Sequence, residues 1–161
     1  MITLVLGGAR SGKSEVAEEL AAGLGERVTY VATCVVTDAD MAARVEVHRD
    51  RRPADWLTVE APGPDLPTVL DRVDGPVLLD SLTTWVASAP DFDVDADGLC
   101  AALRKRAGAT VVVSDEVGLG VSPSTAVGNR FRDALGVLNQ RVAEMADDAV
   151  LVVAGRRLRL T

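Results

Sequence analysis

Eight residues, Gly7-Gly8-Ala9-Arg10-Ser11-Gly12-Lys13-Ser14, stand between a short apolar run, Ile2 to Leu6, and a segment of helical pattern, Ser14 to Gly23. They match G-x-x-x-x-G-K-[ST] in full. A strand, a glycine-rich loop and a helix in immediate succession leave few folds open, because the strand must lie in a sheet that the following helix covers. The residue types carry chemistry as well. Glycines let backbone N–H groups curl around phosphates, and the helix N-terminus adds partial positive charge. Lys13 reaches β- and γ-phosphates, and the Ser14 hydroxyl is a Mg²⁺ ligand. Chance alone gives the four fixed positions in about one chain of this length in a hundred.

The rest of the chain continues the alternation. Val28 to Ala32, Leu57 to Glu60, Val77 to Asp80, Thr110 to Ser114 and Val150 to Val153 read as further strands, most of them continuously apolar, as strands covered on both faces must be. Val127, Phe131, Ala134, Leu135, Leu138, Val142 and Met145 recur at spacings of three and four, which predicts a long amphipathic helix. Ala96 to Ala107 is helical by pattern, Asp38 to Asp50 predicts a shorter helix, and Ala87 to Asp97, rich in Asp and Pro, reads as a surface connection. Leu151 to Ala154 and Arg157 to Leu160 around Gly155 predict a closing β-hairpin. The expected fold is α/β, one domain over residues 1–161, with a mainly parallel sheet and flanking helices. Its 161 residues are 48% apolar but only 3% aromatic, so Val, Leu and Ala must fill the core.

Charge and composition exclude several partners. A net charge of -7 offers no broad basic face to a nucleic acid or an anionic membrane. No apolar run approaches the roughly 20 residues of a membrane span, and Met1 to Leu6 lacks the basic start of a signal peptide, so a cytoplasmic protein is expected. Cys34 and Cys100 are not spaced for metal or redox work and read as reduced thiols. A single histidine, His48, rules out a multi-histidine metal site.

A phosphate-binding loop calls for an acidic partner at the carboxyl end of another strand, since open α/β sheets bind ligands there. Asp80 ends Val77-Leu78-Leu79, and Asp115-Glu116 follow Val111-Val112-Val113-Ser114. Either acid also suits a helix N-cap. Asp80 is assigned to the Mg²⁺ shell and Glu116 is the second candidate. Asp115-Glu116-Val117-Gly118 fits the D-x-x-G of a regulatory GTPase switch, but the guanine-reading N-K-x-D of such switches is absent.

Between the second and third strands, Arg44, His48, Arg49, Arg51 and Arg52 place five basic or imidazole side chains within nine positions. In a helix, Met41, Val45 and His48 fall at i, i+4 and i+7, which sets His48 on the apolar side. Two readings follow. One is a partly buried histidine held by one hydrogen bond, beside a solvated basic face. The other is an imidazole that attacks a phosphate whose charge the arginines offset.

At these residues the chain resembles the bifunctional adenosylcobinamide kinase and adenosylcobinamide-phosphate guanylyltransferase family of cobalamin biosynthesis. The resemblance covers nearly the whole length: Gly7 to Ser14, Tyr30-Val31-Ala32-Thr33, Asp40-Met41 with Arg44 and His48, Arg52, Trp56, Glu60, Leu79-Asp80-Ser81-Leu82-Thr83, Glu116-Val117-Gly118, and Phe131-Arg132-Asp133 with Gly136 and Asn139-Gln140. Asp115 stands where Asn is common in the family, Asp40 replaces a usual Glu, and the stretch from Val86 to Asp97 is short. The resemblance implies two reactions. ATP or GTP phosphorylates the aminopropanol hydroxyl of adenosylcobinamide. The family's histidine, matching His48, then takes the guanylyl group from GTP and passes it to adenosylcobinamide phosphate, giving adenosylcobinamide-GDP. The same match assigns the nucleotide to Gly7, Gly8, Ala9, Arg10, Ser11, Gly12, Lys13 and Ser14, to Ala32, Thr33 and Cys34, to Arg49, Asp50, Arg51 and Arg52, and to Glu60 and Asp80. It further implies a phosphate-loop fold of the RecA type and a homotrimer. Two other readings use the same loop: an ordinary small-molecule kinase in which His48 is structural, and a nucleotide-gated switch with a protein partner.

Overall fold

The computed structural model describes residues 1–25, 27–34 and 51–160. The strands are β1 (Ile2–Gly7), β2 (Thr29–Ala32), β3 (Leu57–Glu60), β4 (Val77–Asp80), β5 (Thr110–Asp115), β6 (Asp148–Val153) and β7 (Arg156–Arg159). The helices among the described residues are α1 (Lys13–Ala22), α2 (Leu66–Arg72), α3 (Leu82–Ser88), α4 (Ala96–Lys105) and α5 (Ala126–Ala143). One sheet holds the strands in the order β3-β2-β4-β5-β1-β6-β7. Every pairing in it is parallel except the last, where β6 and β7 form an antiparallel hairpin.

Alternation along the buried strands splits the core between the two faces of the sheet. On one face Val5, Val111, Val113, Leu78, Val150 and Val152 pack with Val16, Ala17 and Ala21 of α1. On the other, Leu4, Leu6, Leu79 and Val112 meet apolar residues of α2, α3, α4 and α5. The helix that leaves the glycine-rich loop therefore lies alone, among the described helices, on its side of the sheet. The expected α/β fold and mainly parallel sheet are present.

Two local expectations need correction, and the edge strand β3, which is not a continuously apolar run, leaves Leu57 46% exposed. Helices α2 and α3 went unforeseen because seven residues make only two turns, too few for the helical period to register. Ser81 and Thr84 nonetheless form a complete capping box at the start of α3. The stretch from Ala87 to Asp97 is more than a surface connection, because Phe92 and Val94 pack on the core and the Phe92 ring meets Phe131 edge to face at 5.3 Å. The helix expected over Asp38 to Asp50 lies outside the described residues. No helix among the described residues is long and apolar enough to cross a membrane.

Candidate functional site

Local chemistry shapes the loop after β1. Gly7 must be glycine, because a Cβ there would lie 2.9 Å from the Val152 carbonyl and strike the Ser11 hydroxyl. Arg10 and Gly12 both take positive φ, 55° and 90°, so the chain curls before α1 begins. Gly12 occupies the N-cap position and offers no capping side chain; the Lys13 amide donates to Ser11 Oγ at 3.3 Å, and the start of α1 offers its partial positive charge to an anion. The neighbouring hairpin braces this loop. The Gly155 amide in the β6–β7 turn donates to the Ser11 carbonyl at 2.8 Å.

Lys13 lies over the loop, its ammonium 3.4 Å from the Gly8 carbonyl and 2.5 Å from Asp115 Oδ1. Asp115 ends β5 and pairs in register with Gly7. Its amide donates to Thr83 Oγ1 at 2.8 Å, and its carbonyl accepts from Asn139 Nδ2 at 3.0 Å. The next residue, Glu116, points elsewhere, accepting the Gly118 amide at 2.6 Å. Ser14 lies in the first turn of α1, partly buried.

A second cluster forms where β2, β3 and β4 end side by side, with Ala32 in register with both Glu60 and Asp80. The Tyr30 hydroxyl donates to Asp80 Oδ2 at 2.7 Å. Burial, followed by the Asp80 charge, pushes the Tyr30 phenol far above its ordinary range, so it stays a donor at every working pH. The Arg52 guanidinium stacks on the Tyr30 ring at 3.6 Å, while Arg51 pairs with Glu15 at 2.9 Å and Glu18 at 3.3 Å on α1. The two arginines thus tie the end of the basic segment to both α1 and β2.

Thr33 is fully buried, and its hydroxyl is consumed by the Ser81 carbonyl at 2.6 Å, the Ser81 amide at 3.0 Å and Thr84 Oγ1 at 2.6 Å. Its side chain holds the turn after Asp80 in place and is closed off from solvent. Cys34 is partly buried, and neither it nor Cys100 forms a disulfide. Glu60 is exposed at the end of the edge strand.

The structure gathers Gly7 to Ser14, Ala32 to Cys34, Glu60, Asp80 and Glu116 along the carboxyl edge of the sheet or just beyond it, with Arg51 against α1 and Arg52 over the Tyr30 ring. His48, Arg49 and Asp50 lie outside the described residues, as do Met41 and Arg44. Two residues of the site were noted from sequence but given no role in it. Tyr30 was named only within the family resemblance. Asp115 did carry a signal, an acid at the end of an apolar strand, but only strand order reveals that this strand lies next to β1.

A strand–loop–helix with its lysine over the loop, set at the carboxyl edge of a mainly parallel sheet, defines a phosphate-loop protein of the α/β class. Residues 3–160 match the family described as cobinamide kinase / cobinamide phosphate guanyltransferase, and the chain belongs to that family. It is 38% identical over 163 residues to the bifunctional adenosylcobalamin biosynthesis protein CobP of Pseudomonas aeruginosa, covering 96% of this chain and 94% of that one. It is 37% identical over 177 residues to the bifunctional adenosylcobalamin biosynthesis protein CobU of Salmonella typhimurium, and equally to that of Escherichia coli, covering 96% of this chain and 97% of each relative. In fold alone it is similar to an ATPase of the type III secretion system of pathogenic bacteria, with a TM-score of 0.53 at 11% identity over 93% of this chain and 51% of the other.

Proposed function

We propose that this chain phosphorylates adenosylcobinamide with ATP or GTP, and transfers GMP from GTP to adenosylcobinamide phosphate through a guanylyl group carried on His48. The observation that carries the reading is the match of the whole chain to a family described by both activities, on a chain whose phosphate loop is intact. In the kinase step, loop amides, the α1 N-terminus and Lys13 offset charge on the transferring phosphoryl group. In the transferase step, neutral His48 attacks the α-phosphorus of GTP. A phosphorus–nitrogen bond forms, the bond from the α-phosphorus to the oxygen bridging it to the β-phosphorus breaks, pyrophosphate leaves with that oxygen, and the imidazole gives up its proton. A phosphate oxygen of adenosylcobinamide phosphate then attacks the same phosphorus, releasing His48 and forming adenosylcobinamide-GDP. Arg49, Arg51 and Arg52 offset the triphosphate charge.

Mg²⁺ fits the donor set. The Ser14 hydroxyl and the Asp80 carboxylate are hard oxygens, and Glu116, whose carboxylate accepts the Gly118 amide, is the further acid. Hard oxygens of this kind suit a small hard cation that keeps waters and substrate phosphates as most of its ligands. When bound, Mg²⁺ supplies neutralisation of phosphate charge. Asp80, held by Tyr30, is the acid we assign first and Glu116 the second. Ala32, Thr33, Cys34, Asp50 and Glu60 complete the proposed nucleotide surface, Thr33 by holding the turn after Asp80. The proposed protein is a single-domain cytoplasmic homotrimer.

Incubation with adenosylcobinamide phosphate, GTP and Mg²⁺ tests the reading. Mass analysis is expected to show adenosylcobinamide-GDP, and consumption of neither substrate would overturn it.

A further inference from the structure

We infer that Asp115 is a built-in rival for Lys13, a carboxylate that a nucleotide's phosphates must displace and that thereby sets how tightly the loop holds them. The inference rests on the reading of the loop as a nucleotide site. Its basis is the contact of 2.5 Å between Lys13 Nζ and Asp115 Oδ1, made by side chains only 15% and 24% exposed. At that burial the pair is less screened than one in open solvent. The carboxylate has little room to withdraw, because its own residue is tied on three sides: to Thr83 through its amide, to Asn139 through its carbonyl, and to β1 through the register with Gly7. With the Asp115 backbone so tied, rotation of the Asp115 or Lys13 side chain is what separates the pair.

Two effects oppose each other here. By holding Lys13 over the loop, the pair spares some of the cost of ordering a long side chain on binding. A phosphate that takes the same ammonium, however, must break the pair and leave a fixed negative charge close by. The second effect wins, because Lys13 already has the Gly8 carbonyl beneath it at 3.4 Å and needs the carboxylate little for its orientation. Glu116 does not share the role, since its carboxylate is turned to the Gly118 amide.

The test is titration of the whole chain with GDP in EDTA, where no divalent cation shields the charges, for the wild type, Asp115→Asn, Asp115→Ala and Asp133→Asn. Asp133 is 65% exposed and paired with Arg132, so its replacement removes one negative charge from the molecule without touching Lys13. Both Asp115 variants are expected to bind GDP about three- to fivefold more tightly than wild type, and Asp133→Asn within about twofold of it, the upper part of the scale of an exposed ion pair. Thermal midpoints of the variants near that of the wild type show that the fold persists. Unchanged or weaker binding by folded Asp115 variants, or an equal gain from Asp133→Asn, would overturn the inference alone. Failure of the wild-type chain to bind any guanine nucleotide, with or without Mg²⁺, would instead sink the nucleotide reading and this inference with it.

Discussion

Single side chains carry the chemistry. Lys13 is the cation of the loop, so Lys13→Ala is expected to lower phosphorylation of adenosylcobinamide by on the order of 10² to 10³ in rate, as removal of one charge-stabilising contact does. A phosphoryl-transfer assay checks this, and a near wild-type rate would remove the loop from the reaction. His48 is the only histidine, which makes its test clean. GTP labelled at the α-phosphate is expected to leave acid-labile, alkali-stable label on the wild-type protein and none on His48→Ala. Label retained by the variant would make His48 structural. The acids divide less simply than their spacing suggests. Asp80 is engaged by Tyr30, Asp115 by Lys13, and Glu116 by the backbone two residues on. From sequence the three look alike, each an acid at or just beyond the end of an apolar strand. The partners of Asp80 and Asp115 come from elsewhere in the chain and that of Glu116 from two residues on, and the partners distinguish the three.

Among the elements, the β6–β7 hairpin has the largest unforeseen part in the site. Its turn residues Ala154 and Gly155 have φ of 50° and 72°, the left-handed pair of a type I′ turn. Gly155 suits that conformation, whereas Ala154 is strained in it. Ala154→Gly is therefore expected to stabilise the protein by about 0.5 kcal/mol, relief of left-handed strain exceeding the extra backbone entropy glycine loses. A thermal midpoint higher by about 1–2 °C checks it. A fall would mean that Ala154 makes contacts worth more than the strain. The hairpin itself was legible as two short runs around a glycine. Its bond to the Ser11 carbonyl was not, because that contact joins opposite ends of the chain. The two seven-residue helices show the other limit. Their period is too short to read, and burial of Leu66, Leu70, Leu82 and Trp85 in the core decides that they form.

For the molecule as a whole, the proposed homotrimer predicts sedimentation at three times the chain mass of 16.9 kDa at micromolar concentration. A monomer under those conditions would overturn it. The edge strand β7 and its neighbour leave Val153, Leu158 and Leu160 each more than half exposed, so the molecule carries apolar surface at that end of the sheet.

The sequence by itself determined what is local. The loop motif, the glycine at each turn that needs one, the apolar strands and the long amphipathic helix each follow from residues within a few positions of one another, because sterics and hydrophobic period act at that range. The tertiary structure alone decided the order of the strands. That order set Asp115 beside Lys13, laid the β6–β7 turn against Ser11, and brought Ala32, Glu60 and Asp80 level with one another. Such contacts depend on which strand pairs with which. Pairing is settled by packing both faces of the sheet at once, so no stretch of sequence carries it alone.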